Sequence, residues 1–273
     1  MARFVLLSFR VFRVIHGGSR ALFEGFWLGI LPESVADVTT VASYGEGALY
    51  TNKAWVDSGF QFWEELAVRR FFPAGGRILV AAAGGGREMI ALSRAGYRPD
   101  GFECSRPMVE AGRRALWERG IDARLEWAPP SAVPGSLLGR YDAILVGWNA
   151  WSYIVPAARR AAFLGSLRPY LIESGTILIS FGMLGRSGGA AKWIPRVANY
   201  VRLCTLRSGR FDVGVSFPTR MRQDFRARTI ETEFAEAGFE VEGWYRWGPF
   251  GAVVIRAGGV YPMAPKWPSS AVP

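Results

Sequence analysis

The chain has 273 residues, half of them hydrophobic and 14% aromatic, with charged residues at 21%. That composition supplies the core of one large globular domain with additions and excludes a disordered chain. The net charge of +10 admits nucleic acid, a membrane surface or an acidic small molecule as partner, although nearly all of it is arginine, a bias that a GC-rich genome also produces.

Two distant cysteines, Cys104 and Cys204, and one histidine, His16, exclude a disulfide framework and a zinc site and fit a reducing cytoplasm. Residues 3–31 read as helical. Arg3, Arg10, Arg13 and Arg20 follow steps of seven, three and seven, which gathers them on roughly a third of a helix circumference. Phe4, Leu7, Val11, Phe12, Leu22, Phe23 and Phe26 cover much of the rest, and Gly17-Gly18 marks a break. The expectation is a helical layer packed on the core; the alternative is an amphipathic helix lying on a membrane surface. The interrupting arginines argue against a transmembrane helix, and the ordered segments of a signal peptide are absent.

Residues 32–54, with Pro32, Gly45 and Gly47, are expected as loop and short turns. Ser58 and Gln61 form an S-x-x-Q box opening a helix over 59–72, with Phe62, Trp63, Leu66 and Ala67 on its buried face. From Arg77 short apolar runs alternate with helical stretches. Strands are expected at Arg77–Ala83, Asp100–Cys104, Ala123–Trp127, Tyr141–Trp148 and Gly175–Phe181. Helices are expected to Ala95, over Pro107–Arg119 and over Ala157–Leu171. A helix over Thr229–Ala237 precedes Glu240–Arg246 and Phe250–Arg256, a pair joined too closely for a parallel crossover. This pattern predicts an α/β fold, a doubly wound Rossmann-like sheet with one antiparallel strand and a helical segment before it.

One segment carries chemistry. In Ile78–Tyr97 a strand runs into Gly84-Gly85-Gly86 and then a helix. Glycines let the backbone approach a nucleotide-like ligand, and the helix start offers free N–H groups. Glu103 closes the next strand, where a carboxylate can accept both ribose hydroxyls of an adenosine cofactor. A dinucleotide site would need a third glycine where Met89 stands, and a catalytic His or Tyr-x-x-x-Lys pair, which disfavours NAD.

Arg77–Tyr97 resembles, without gaps, motif I of the class I S-adenosylmethionine-dependent methyltransferases. Residues 101–105 (Gly-Phe-Glu-Cys-Ser) are similar to the acidic loop that follows it, Tyr141–Trp148 to motif IV, and Ala237–Val241 with the strand pair to the end of that fold. The likeness spans about residues 55–257 and is strongest to bacterial small-molecule types with a G-G-G-R-E loop. It implies a seven-stranded sheet, S-adenosylmethionine as cofactor and a site lined by Ala82, Ala83, Gly84, Gly85 and Gly86 at the methionine and ribose. Glu103 would hold the ribose. Cys104, Ser105 and Met108 would lie by the adenine, Ser131 and Ala132 at its edge, and Gly147 and Trp148 beside the methyl sulfonium. The chain departs from the family pattern at Val80, which replaces an acid, at Ala82, which replaces the first glycine and fits there with a negative φ, and at Pro129-Pro130.

The implied activity is methyl transfer to an oxygen or nitrogen of a small-molecule acceptor, with Tyr44, Tyr50, Asn149, Trp151 and Tyr153 as acceptor contacts and no base or metal assigned. The rivals are a membrane-associated lipid methyltransferase, a nucleic-acid methyltransferase, disfavoured because Gly147-Trp148-Asn149-Ala150 lacks a Pro pair, and a non-catalytic cofactor-binding module. Residues 1–54 are expected as a cover, 55–257 as the transferase domain and 258–273 as a Pro-rich tail. Within the domain, 186–228 is expected as a basic substrate-side insertion, carrying ten Arg or Lys against Asp212 and Asp224 and favouring an anionic acceptor.

Overall fold

The structure, a computed structural model, describes residues 16, 18–45, 48–185, 190–218 and 220–258. The expectations for residues 3–15, for Arg186 and for the tail past 258 lie outside these residues.

Seven strands form one sheet: β1 (Arg77–Ala81), β2 (Arg98–Glu103), β3 (Leu125–Trp127), β4 (Tyr141–Val146), β5 (Leu171–Gly182), β8 (Phe239–Trp247) and β9 (Phe250–Ala257), in the order β3-β2-β1-β4-β5-β9-β8. The strands of the 3-2-1-4-5 half pair in parallel, and β9 runs antiparallel to both neighbours. A hairpin this tight reverses direction, so β9 must insert between β5 and β8 to bury its Ala-Val-Val-Ile run on both faces. Successive residues of β1 and β4 alternate between two cores. Leu79, Ala81, Ile144 and Val146 pack toward α7 (Ala157–Leu167) and α9 (Ala227–Glu236). Ile78, Val80, Ala143 and Leu145 pack toward α4 (Phe62–Phe71), α5 (Arg87–Arg94) and α6 (Arg106–Trp117).

Two expectations are corrected. Residues 32–54 are largely helical: α2 (Glu33–Gly45), a short turn of helix at Ala48–Thr51 and α3 (Lys53–Val56). The β-branched Val35, Val38, Thr39 and Val41 weaken the helical signal of α2 in sequence. Its helix is instead pinned from outside, where Arg159 of α7 grips Asp37 through two bonds of 2.8 and 2.9 Å. The helix start at α4 is capped one turn further on than expected, by Gln61 with Glu64, and Phe62 and Leu66 face solvent while Trp63, Glu64, Ala67 and Val68 are buried. Gly18 is helical, within α1 (residues 18–30), while Gly17, the other residue of the expected break, lies outside the described residues.

Between β5 and α9 the chain forms α8 (Ala190–Cys204) and a small hairpin, β6 (Val215–Ser216) with β7 (Arg222–Gln223). α1 lies against α8, and together with the hairpin they enclose a third apolar cluster of Ala21, Leu28, Ile194, Ala198, Phe211, Val215 and Met221.

Candidate functional site

The carboxyl ends of β1, β2 and β4 open on a cleft of about 1060 Å³, counting the space continuous with solvent. Open α/β sheets place ligands at this end, where the strand order reverses. Ala82, Ala83, Gly84 and Gly85 form its floor, with Glu103, Cys104 and Met108 on one side, Pro129, Pro130, Ser131 and Ala132 beyond them, and Trp148, Ala150 and Tyr153 on the other. Asp37, Thr40 and Val41 of α2, with Tyr50 and Trp55, close it from above.

The glycine turn is shaped by close contacts. Gly84 and Gly86 have φ of +53° and +89°, and a Cβ on Gly85 would stand 2.3 Å from the Tyr50 carbonyl oxygen, so the cover segment rests directly on the turn. Glu103 ties the turn to β2. Its Oε2 accepts from the Gly84 N–H at 3.0 Å, and its Oε1 accepts from the N–H groups of Cys104 and Ser105 at 2.8 and 2.9 Å. Burial, with the Glu103 carboxylate beside it, holds the Cys104 thiol far above its ordinary range, which disfavours the thiolate.

Ala82 has φ +55°, against the negative value expected of it. The reason is local crowding: β1 and β4 converge so closely here that a Cβ on Gly147 would stand 2.3 Å from the Ala82 carbonyl oxygen. Ser131 and Asn149, after β3 and β4, are also left-handed, at +59° and +52°. Three of the four left-handed non-glycine residues among the described residues thus follow strands at this end of the sheet, the fourth being Leu206 after α8.

Other expected contacts fall outside the lining. Gly86 and Ser105 begin helices α5 and α6 behind the turn, and Gly147 is covered by the Ala82 carbonyl. Trp151 is buried against Phe234, with ring centroids 5.4 Å apart, so it belongs to the core and not to the cleft wall. Asn149 is buried with its N–H donated to Ser180 Oγ at 2.8 Å. Tyr44 sits in α2, with its side chain outside the described atoms. His16 is exposed and does not line the cleft.

Three features were not anticipated. Arg87, the residue after the glycines, is 1% exposed and holds two carboxylates: Glu64 of α4 through two bonds of 2.7 and 2.6 Å, and Glu88 at 2.7 Å. Its guanidinium also lies 5.0 Å from the Trp55 ring centroid. Burial opposes the Arg87 charge, but Glu88 and Glu64 outweigh it and keep the group above its ordinary value, while burial pushes the Glu64 carboxyl up. Arg87 and Glu88 both stand in the cleft wall, where Glu88 also meets the Trp148 N–H at 3.3 Å. Second, Trp148 joins an aromatic cluster, 5.8 Å from Trp55 and 6.2 Å from Trp247, which stacks on Trp63 at 4.5 Å. Third, the insertion reaches the cleft: burial and Tyr153 raise the Tyr50 phenol above its ordinary value, against the pull of Arg220, which hydrogen-bonds it, and of Arg222. Among the described residues no group of His, Cys, Asp and Glu is arranged to hold a metal.

The strand order, the strand-end cleft and the glycine turn in register with Glu103 decide the fold. It is that of the class I methyltransferases. Solved structures bear the likeness out. The PH0226 protein from Pyrococcus horikoshii superposes with a TM-score of 0.58 at 15% identity, over 80% of this chain and 99% of its own. An S-adenosylmethionine-dependent methyltransferase from Clostridium acetobutylicum gives 0.54 at 12%, over 83% and 99%. The glycopeptide N-methyltransferase MtfA in complex with sinefungin gives 0.52 at 18%, over 75% and 94%. No protein-family profile matches the chain, and no curated protein matches it in sequence.

Proposed function

We propose that the chain binds S-adenosylmethionine in the cleft and transfers its methyl group to an oxygen or nitrogen of a small-molecule acceptor. The observation that carries this reading is the joint between the glycine turn and β2, where the Glu103 carboxylate bonds the Gly84 N–H and lines the cleft beside Gly85, which has no room for a side chain. The donor set fits the group. Ala82–Gly85 would cradle the methionine and ribose, Glu103 would accept from the ribose, and Met108, Ser131 and Ala132 would enclose the adenine.

Bound there, the cofactor supplies an electrophilic methyl on a sulfonium. The chain's part is to hold the acceptor in line with that methyl, an orientation effect worth up to roughly 7–11 kcal/mol. Tyr50, Trp55, Trp148 and Tyr153 offer apolar faces for such an acceptor, and aromatic rings beside a cation contribute about 0.5–2 kcal/mol. Arg220, which bonds Tyr50, would bias the acceptor end toward an anionic group, while Arg222 is paired with Asp224. No base is assigned. On this reading residues 1–54 act as cover, 55–257 as transferase domain and 186–228 as the substrate-side insertion.

Calorimetry with S-adenosylmethionine tests the reading. Wild type is expected to bind, and Glu103→Ala to bind more weakly by about 1.5–3 kcal/mol, the scale of charge-assisted hydrogen bonds. A wild type that takes NADH, or neither ligand, refutes it. Binding without methylation of any acceptor in a broad panel would favour a non-catalytic module.

A further inference from the structure

We propose that the outer face of the α1–α8 pair docks on an anionic lipid surface. The two helices meet through glycines. A Cβ on Gly25 would stand 2.6 Å from Val197 Cβ, and one on Gly29 2.5 Å from Val201 Cβ, so their backbones are in close contact along one seam. The inner sides of both helices are sealed in the apolar cluster with Phe211 and Met221.

The outer sides are not sealed. Phe23 is 66% exposed, Phe26 46% and Trp27 39%, while on α8 Trp193 is 55%, Tyr200 68% and Leu203 72% exposed. Phe23 and Phe26 both set their rings edge-on to Trp27, at 6.4 and 5.7 Å, so this is an assembled aromatic cluster open to water. At one hundred degrees per residue, Leu22 and Phe26 flank the α1 glycines, and Trp193 and Tyr200 flank the Val197–Val201 row of α8, so the two exposed arcs border the same seam. A continuous apolar face of this kind marks an interaction surface.

Charge selects the occupant. Residues 18–31 and 190–210 expose Arg20, Lys192, Arg196, Arg207 and Arg210 against one acid, Glu24, which is buried and paired with Arg20, while Arg202 is buried on the inner side against Phe211. Arg196 lies 4.9 Å over the Trp193 ring, at the border between the apolar face and water. A second copy of this face would bring arginines against arginines with no acid to receive them. Anionic headgroups over acyl chains match both halves of the surface, with aromatic and leucine side chains below and basic groups level with the phosphates. No described helix is long and apolar enough to cross a membrane, so the contact lies in the interface plane. Because Leu31 and Pro32 lead from α1 straight into α2, whose Asp37, Thr40 and Val41 wall the cleft, docking would hold the cleft mouth next to the lipid.

The test is co-sedimentation of the full chain with phosphatidylcholine vesicles and with equimolar phosphatidylcholine–phosphatidylglycerol vesicles. Partition onto the anionic vesicles is expected, weakening as salt rises. Phe23→Ser with Trp27→Ser is expected to reduce it by about tenfold or more, the scale of withdrawing two aromatic side chains from an interface. Trp193→Ser with Leu203→Ser should do the same from the other helix, and decides the matter if the first pair does not fold by circular dichroism. Lys192→Glu with Arg196→Glu should abolish the preference for anionic lipid. The proposal falls if wild type ignores both vesicles, or if it binds them and both apolar pairs bind equally well. It also falls if wild type ignores the vesicles but forms a dimer in sedimentation velocity that these substitutions dissociate, which would make a second copy the occupant.

Discussion

Arg87 and Arg160 are two buried arginines with nearly the same local dress and different jobs. Each is 1% exposed, each grips a glutamate with two bonds, and each lies about 5 Å over an aromatic ring, Trp55 for Arg87 and Phe225 for Arg160. Arg160 balances Glu233 and completes its set with the Gln223 side chain and the Ile154 carbonyl, joining α7, α9 and β7 far from the glycine turn. Arg87 instead faces two carboxylates and stands in the cleft wall. A balanced cluster rivets helices together. An unbalanced one also leaves a second carboxyl group, Glu88, in the cleft wall, where a positively charged ligand group would be favoured.

The largest expected effect separates the two. Arg87→Met leaves Glu64, wholly buried, and Glu88 facing each other without a cation, and is expected to destabilise the chain by about 3–5 kcal/mol. Arg160→Met leaves Glu233 with partial access to water and should cost about 1–3 kcal/mol. Urea denaturation of both variants measures the difference; equal losses would mean that the second carboxyl group adds nothing to the Arg87 cluster.

A smaller effect turns one cluster into the other. Glu88→Gln gives Arg87 the Glu-plus-Gln set that Arg160 already has. Stability should change little, because the amide oxygen still accepts from Arg87 and from the Trp148 N–H. Affinity for S-adenosylmethionine should fall by roughly 1 kcal/mol, about fivefold, while affinity for its demethylated product, whose sulfur is neutral, changes less, since only the former carries the sulfonium. Calorimetry with the two ligands reads the ratio, and a parallel loss for both would assign Glu88 a purely structural role.

The contrast also bears on what can be read from sequence. The alternation of apolar runs and helical stretches placed each strand of the large sheet within a few residues, because burial on both faces writes itself into the central strands β1, β4, β5 and β9, while the edge strand β8 shows its hairpin with β9 instead. The glycine turn and Glu103 were legible for a similar reason: they are local features at fixed spacing. The Arg87 cluster was not. Glu64 lies twenty-three positions away, and nothing in an amphipathic helix says that one of its glutamates turns inward. Nor did sequence show that Trp151 points into the core while its neighbour Trp148 lines the cleft, since both follow the same strand and differ only in the turn between them. Arg220 was one of ten basic residues in its segment, and only the fold brings it to Tyr50.

The smallest effect concerns the backbone beside the Arg87 cluster. No left-handed residue occurs in α7, α9 or β7 around Arg160, whereas Ala82 and Ser131 line the cleft. An alanine held at φ +55° costs about 1–2 kcal/mol relative to its ordinary conformations. Replacing it with glycine removes that strain but gives the unfolded chain more freedom, worth about 0.4–1 kcal/mol in the opposite direction. Ala82→Gly is therefore expected to stabilise the chain by a few tenths to about 1 kcal/mol, and Ala83→Gly, at a buried neighbour without positive φ, to destabilise it. Urea denaturation of the two variants side by side reads the sign. If Ala82→Gly destabilises as Ala83→Gly does, the left-handed turn is not strained and the asymmetry between the two ends of the molecule is one of charge alone.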